Sequence, residues 1–140
     1  MKNIFFLNAT PHYITIGSIQ IPASGLVFRL NESTEIYDII DGIPVVKVEY
    51  SPPSFTIPDD LIPLLQKQNP KILVIICSSI LYVLNDKNWK EIAARFKYVC
   101  PNIERILFIS PDTGPNSAIR NNSGQIIGVK RCRLLKEILL

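Results

Sequence analysis

Residues 71–110 read KILVIICSSILYVLNDKNWKEIAARFKYVCPNIERILFIS, and this stretch decides the fold. It opens on Lys71 to Cys77, a continuous β-branched apolar run of the kind that suits a strand covered on both faces. Trp89, Ile92, Ala93 and Phe96 then recur at i, i+3, i+4 and i+7, the stripe of an amphipathic helix. Asn88 and Glu91 have the spacing of a capping box, which predicts a helix near 88–98. Pro101 and Asn102 end it, and Arg105 to Ile109 opens a second apolar strand near 105–110. Strand, helix, strand in this order is a βαβ unit, so the two strands should run parallel with a right-handed crossover.

Outward from that unit the pattern is of short strands. Ile4 to Leu7 is apolar throughout. Tyr13, Ile14 and Ile16 lead to a Gly17-Ser18 turn, and Ile19 and Ile21 follow. Leu26, Phe28 and Leu30 alternate with Val27 and Arg29, and the Asp41-Gly42 pair predicts a hairpin over 34–50. Together these predict a meander-like antiparallel sheet. Pro52, Pro53, Pro58, Pro63 and Pro70 keep residues 51–70 out of central strands. A loop and a short helix are expected there, capped by Asp59 or Asp60, with Pro63 in its first turn and Leu61, Leu64 and Leu65 on its apolar face. Ser117 to Arg120, a turn over 121–124, and Ile126 to Val129 predict a hairpin. Leu134, Leu135, Ile138, Leu139 and Leu140 predict a terminal helical turn on the core, or a hydrophobic docking segment. The fold class is α+β: an antiparallel β-rich domain with one βαβ segment. Residues 1–140 read as one domain, with a strand-rich half at 1–50, a proline-rich connection at 51–70, and the βαβ unit plus hairpin at 71–140.

The chain has 140 residues, 47% of them hydrophobic and 19% charged, which excludes a disordered chain. Met1 and Lys2 precede the Ile4–Leu7 run, which is too short for a secretory h-region. The apolar stretch from Ile72 to Leu84 is broken by Ser78 and Ser79 and falls short of the ~18 residues that a membrane span needs. Cys77, Cys100 and Cys132 are odd in number and lack metal-ligand spacing. They read as buried thiols in a reducing compartment, the cytoplasm of a cell or host, or a virion. With a single His, no metal is expected, and no P-loop or G-x-G-x-x-G suggests a nucleotide cofactor. Residues 1–70 carry a net charge of −3 and residues 71–140 a net of +6. The sharpest basic cluster, Lys130, Arg131, Arg133 and Lys136, has no interleaved aromatic residues, so nucleic acid is not an expected partner.

If the two strands are parallel, the loops leaving their carboxyl ends lie side by side, where α/β sheets place ligands. Those loops are Ser78-Ser79 and Ser110 to Pro115, with Arg120 expected at the same edge. Asp112, Thr113 and Arg120 could then hold a polar ligand bearing a sugar or phosphate. The competing reading is a rigid proline-bracketed turn in which Asp112 bonds its own backbone. Asp112-Thr113-Gly114 also matches the aspartic-protease triplet, with Ile126-Ile127-Gly128 as its supporting element. That chemistry needs a second carboxylate to share a proton, and one chain supplies no second triplet. Asn8, Thr10 and His12 form the other polar island between apolar strands. Asn8 and Thr10 before Pro11 read as turn formers, and His12 as either a base or a hydrogen-bonded structural group.

Two segments resemble a family of small, uncharacterised proteins spread among phages, prophages, some bacteria and large DNA viruses. Leu7-Asn-Ala-Thr-Pro-His12 is similar to its N-terminal strand motif. Pro111-Asp-Thr-Gly-Pro-Asn-Ser-Ala-Ile-Arg120 with Gly124-Gln-Ile-Ile-Gly128 is similar to its closing loop and strand. Pro22-Ala-Ser-Gly25 matches the turn between them. The matched segments cover about a quarter of the chain. Ala9 departs from the pattern, and Leu81 to Ile103 is a longer insert that carries the predicted helix. The resemblance brings no activity; it implies that His12 and the Asp112 loop are signature positions.

Three functions are compatible with these features. The leading one is a non-enzymatic binding protein of viral or mobile-element type, with Asn8, Thr10, His12, Asp112, Thr113 and Arg120 as its site for a small anionic molecule or a protein partner. The second is an enzyme using His12 and Asp112 as an acid/base pair on a nucleotide- or sugar-like substrate. The third is a structural component of a virus particle, contacting its neighbours through the Leu-rich C-terminus and the basic patch.

Overall fold

The computed structural model describes residues 3–140, without the Pro52 side chain. Met1 and Lys2, which entered the targeting argument, lie outside the described residues. In chain order the elements are β1 (Ile4–Asn8), β2 (Ile14–Ile16), β3 (Ile19–Ile21), β4 (Arg29–Ile40), β5 (Ile43–Ser54) and α1 (Leu61–Gln68). They continue with β6 (Ile72–Ile76), a 3-10 turn at Ser79–Val83, α2 (Asp86–Val99), β7 (Arg105–Pro111), β8 (Ala118–Arg120), β9 (Ile126–Val129) and β10 (Cys132–Leu139). The class is α+β.

The main sheet has the order β1-β6-β7-β10. β6 is central and pairs in parallel with both β1 and β7, as its uninterrupted apolar run requires. The βαβ unit is present, with β6 and β7 in register from Ile72↔Arg105 to Ile76↔Ile109. Both helices feed one core. Leu61 and Leu65 of α1 and Trp89, Ile92, Ala93 and Phe96 of α2 pack with Leu7, Leu73, Ile75, Ile106, Phe108 and Ile138 of the sheet. Each of the buried Leu, Ile and Phe side chains contributes roughly 2 kcal/mol by leaving water.

Several sequence expectations give way to longer-range pairing. The N-terminal strands do not form one meander: β1 joins the parallel sheet, while β2 and β3 join β9 and β8 in a second sheet ordered β3-β2-β9-β8. The hairpin is longer than 34–50, running from Arg29 to Ser54 as a two-stranded ribbon. Pro52 and Pro53 lie within β5 because a two-stranded ribbon has only edge strands. In α1, Asp60 occupies the cap position without a side-chain bond, and Leu64 is exposed while Leu61 and Leu65 are buried. Helix α2 starts earlier than its Asn88–Glu91 spacing suggests. Asn85 is the cap, accepting from Asn88 N at 2.9 Å, and Asn88 fills the reciprocal position of the box. The Leu-rich terminus is a strand, not a helical turn: β10 pairs antiparallel with β7 and bulges between Leu134 and Lys136.

The second sheet lies beyond the carboxyl edge of the first, because the loops after β1 and β7 lead into β2 and β8. One parallel contact, Ile16↔Val129 with Gly17 N donating to Val129 O at 2.8 Å, joins its two halves. Gly128 permits it, since a Cβ there would sit 3.1 Å from Thr15 O. Among the described residues no helix is long and apolar enough to cross a membrane.

Candidate functional site

Both polar islands fall on the carboxyl edge of the parallel strands. Ala9 N donates to Ile76 O at 2.7 Å and Cys77 N to Ile109 O at 2.9 Å, so the three strand ends are in line. The Asn8 and Asp112 turns therefore leave the sheet about two strand spacings apart, roughly 10 Å, with Ser78 and Ser79 between them.

Asn8 is 1% exposed and all its side-chain hydrogen-bonding capacity is used. Its Nδ2 donates to His12 O at 2.7 Å and to Ile21 O at 3.1 Å. Its Oδ1 accepts from Thr10 N at 3.0 Å and from Thr10 Oγ1 at 2.6 Å. Asn8 and Thr10 thus tie β1 to β3 and fold the turn back on itself. His12 contributes its backbone to this knot, while its imidazole is exposed and bonded to no described residue.

Asp112 is 2% exposed and equally engaged. Its Oδ1 accepts from Gly114 N at 2.9 Å and pairs with Arg133 Nη2 at 3.3 Å. Its Oδ2 accepts from Arg131 Nε at 2.7 Å. Gly114 allows this tightness, because a Cβ there would lie 3.1 Å from that Oδ1. The Arg131 hydrogen bond, then the Gly114 amide, hold the Asp112 carboxyl below its ordinary value of 3.8, against the opposing effect of burial. Both Asp112 oxygens are engaged by Arg131, Arg133 and the Gly114 amide, where the aspartic-protease reading of Asp112-Thr113-Gly114 needs a second carboxylate. Buried Ser117 completes the knot: its Oγ accepts from Arg131 N at 3.1 Å and Lys130 N at 3.2 Å.

The guanidiniums that reach Asp112 are Arg131 and Arg133, not Arg120. Arg120 Nη1 donates to Gly124 O and closes the β8–β9 turn. The sequence signal for the true partners was the basic cluster at 130–136. The β7–β10 pairing, a contact between strands that are not consecutive in sequence, delivers that cluster to the carboxylate.

Two cavities flank this edge. One, of about 390 Å³, lies between β1 and α1 and is lined by Leu7, Asn8, Ile21, Leu61 and Leu64 among others. The other, of about 380 Å³, is lined by Ser79, Tyr82, Thr113, Gly114, Arg133 and Leu134 among others. Neither is lined by His12 or by Asp112, so the structure does not gather them into one acid/base pocket. In the second cavity the hydroxyls of Ser79, Tyr82 and Thr113 make no hydrogen bond to a described residue, and Arg133 has N–H groups to spare beyond Asp112. Cys77, buried beside this edge, has its thiol pushed up to about 12 by burial, which makes it inert as a nucleophile. Among the described residues no cluster of His, Cys, Asp and Glu could hold a metal ion.

The low Asp112 value has a consequence for acid stability. Its folded value lies below its unfolded one, so its contribution is complete above about pH 4 and is lost as pH falls through the folded value. The stability gap between the native chain and Asp112→Asn should be constant from about pH 7 to 5 and narrow as pH falls below about 4. Urea midpoints across that range check it, and a gap unchanged at the acid end would contradict the ion pairing.

Compared with known proteins, the chain matches no family profile, no curated sequence and no solved structure.

Proposed function

We propose that this chain is a non-enzymatic binding protein that takes a small anionic molecule, nucleotide- or sugar-phosphate-like, in the cavity at the carboxyl edge of β7. One observation carries the reading: Arg133 and the unengaged hydroxyls of Ser79, Tyr82 and Thr113 converge on one 380 Å³ cavity. Its position beyond the carboxyl ends of parallel strands is the usual place for a ligand in such sheets. Asp112 acts as the anchor that aims Arg133 rather than as a ligand contact. Asn8, Thr10 and His12 frame the neighbouring turn. The resemblance of the Leu7–His12 and Pro111–Arg120 segments to phage and viral proteins supports a viral or mobile-element setting.

A thermal-shift screen of nucleotides and sugar phosphates tests this. A ligand at a hundredfold excess over its Kd stabilises by about 2.7 kcal/mol, so Tm should rise by roughly 8 °C. Arg133→Ala and Thr113→Ala should each remove most of that rise while leaving the unliganded Tm within about 3 °C of the parent. A panel that gives no shift, or a shift that survives Arg133→Ala, ends the reading.

A further inference from the structure

The β4–β5 ribbon is an arm with nothing beneath it. Each strand has 12 residues, a length of about 40 Å when extended. Every residue from Asn31 to Pro44 is exposed. Asp41 and Gly42 close the tip with φ of 48° and 77°, the left-handed pair of a tight hairpin turn.

The arm is two-faced. Cross-strand partners share a face, and Thr34/Val48, Ile36/Val46 and Ile39/Pro44 fall on one side. Ser33/Glu49, Glu35/Lys47 and Asp38/Val45 fall on the other, with the apolar pair Ile40/Ile43 at the tip, and Glu32/Tyr50 continues the first side toward the root. Ile36 is 65% exposed, Ile39 61% and Val46 50%. A lone two-stranded ribbon is marginal in water, and an uncovered apolar face of this length marks a contact surface.

Charge selects the occupant. Between residues 31 and 50 stand five acidic residues and one lysine, a net of −4, which leaves +7 on the rest of the chain. Arm against arm would bring two acidic ribbons together. Arm against body joins opposite signs, which favours and steers association. The body offers a matching strip: β10 is the outer strand of its sheet, Lys130, Arg131 and Arg133 stand exposed along it with the two arginines sharing only the Asp112 carboxylate, and Tyr82 and Leu134 lie beside Arg133. Tyr82 is 71% exposed and Leu134 60%.

We infer that two copies of this chain embrace reciprocally, each acidic β4–β5 arm lying along the basic β10 edge of the other, with the side that carries Glu32, Ile36 and Val46 against it. A two-fold axis satisfies both arms and both edges at once and leaves no open end for a filament. About 30 Å of ribbon some 10 Å wide covers roughly 300 Å² on each surface. Two such contacts remove about 1,200 Å², the lower bound for a specific interface. This strip shares Tyr82, Arg133 and Leu134 with the anion-binding cavity, and Lys130→Glu, which lies outside that cavity's lining, tells failure of the dimer from failure of anion binding.

Light scattering coupled to gel filtration tests it with the full chain at tens of micromolar. The native chain should run as a dimer whose association weakens about tenfold or more from low to high salt. Glu32→Lys/Glu35→Lys/Asp38→Lys makes the arm basic and should give a monomer. Lys130→Glu/Arg133→Glu makes the edge acidic and should also give a monomer. Mixing the two variants should restore a dimer, because each arm then meets an edge of opposite sign. A monomeric native chain, a dimeric edge variant (the outcome of arm-on-arm packing) or a monomeric mixture would each overturn the proposal. Should circular dichroism show the edge variant unfolded, Lys130→Glu alone gives the same decision, since its exposed amine bonds no described residue.

Discussion

Phe96→Ala should destabilise the fold by about 4 kcal/mol, the cost of emptying a large aromatic site in a packed core. Phe96 is 0% exposed at the centre of an aromatic trio. The Phe55 ring stacks on it at 6.0 Å and 14°, and the Phe28 ring meets it edge-on at 6.4 Å and 90°. Phe28 and Phe55 are themselves 4.7 Å apart, and the Arg95 guanidinium lies 4.0 Å above the Phe55 ring. Phe28 immediately precedes β4 and Phe55 immediately follows β5, so the trio clamps the root of the arm to α2. The loss should therefore be felt in two places: in the global urea midpoint, and in faster amide exchange at the arm's base. Phe96→Leu keeps most of the volume and should cost about 1.5 kcal/mol. A Phe96→Ala loss below about 1.5 kcal/mol would mean that the trio does not secure the arm.

Asn8→Ala should cost about 3 kcal/mol, large for a single amide side chain. The substitution leaves His12 O, Ile21 O and the Thr10 amide short of the partners they have in the native turn. Each buried orphan costs about 1–3 kcal/mol, and the methyl group that replaces the amide offers nothing in return. Asn8→Asp keeps the acceptor for Thr10 but loses both donated bonds and buries a charge, so it should be no better. Chemical denaturation measures the loss. A cost below about 1 kcal/mol would show that the turn holds without its amide. The outcome separates two roles for this segment: a large stability loss with anion binding intact assigns Asn8 to the scaffold, as its saturated hydrogen bonding indicates.

The parts of the fold that were legible in the chain are those whose causes are local. Ile72 to Ile76 announces a central strand because both its faces are covered. Trp89, Ile92, Ala93 and Phe96 announce α2 because all four face the core. Asp41-Gly42 announces the ribbon tip because both residues adopt the backbone the turn demands. What misled were segments shaped by distant partners. Leu134, Leu135, Ile138 and Leu139 have near-helical spacing because the bulge in β10 interrupts the alternation of an ordinary strand. Asn88 and Glu91 have the spacing of a capping box, but the box forms one turn earlier, between Asn85 and Asn88. The site inherits these errors. Asp112 and Thr113 were found because a polar turn stood out between apolar strands. Arg120 is expected beside them as a ligand-holding guanidinium, and Arg131 and Arg133 take that place because β10, read as helical from its leucines, pairs with β7 and brings Asp112 N to Arg131 O at 3.0 Å.

The junction of Ile16 with Val129 has a bearing on how the chain is made. The two residues are separated by more than a hundred positions, and β1 awaits β6 across more than sixty. On a ribosome β1 would emerge long before β6, and the β2–β3 pair long before β9, whereas the β4–β5 hairpin has both its strands within residues 29–54. Slow maturation, with the amino-terminal segment the last to lock, follows from so many distant pairings. A nascent chain halted before residue 126 should then leave residues 14–21 open to protease, and addition of residues 126–140 should shut them away.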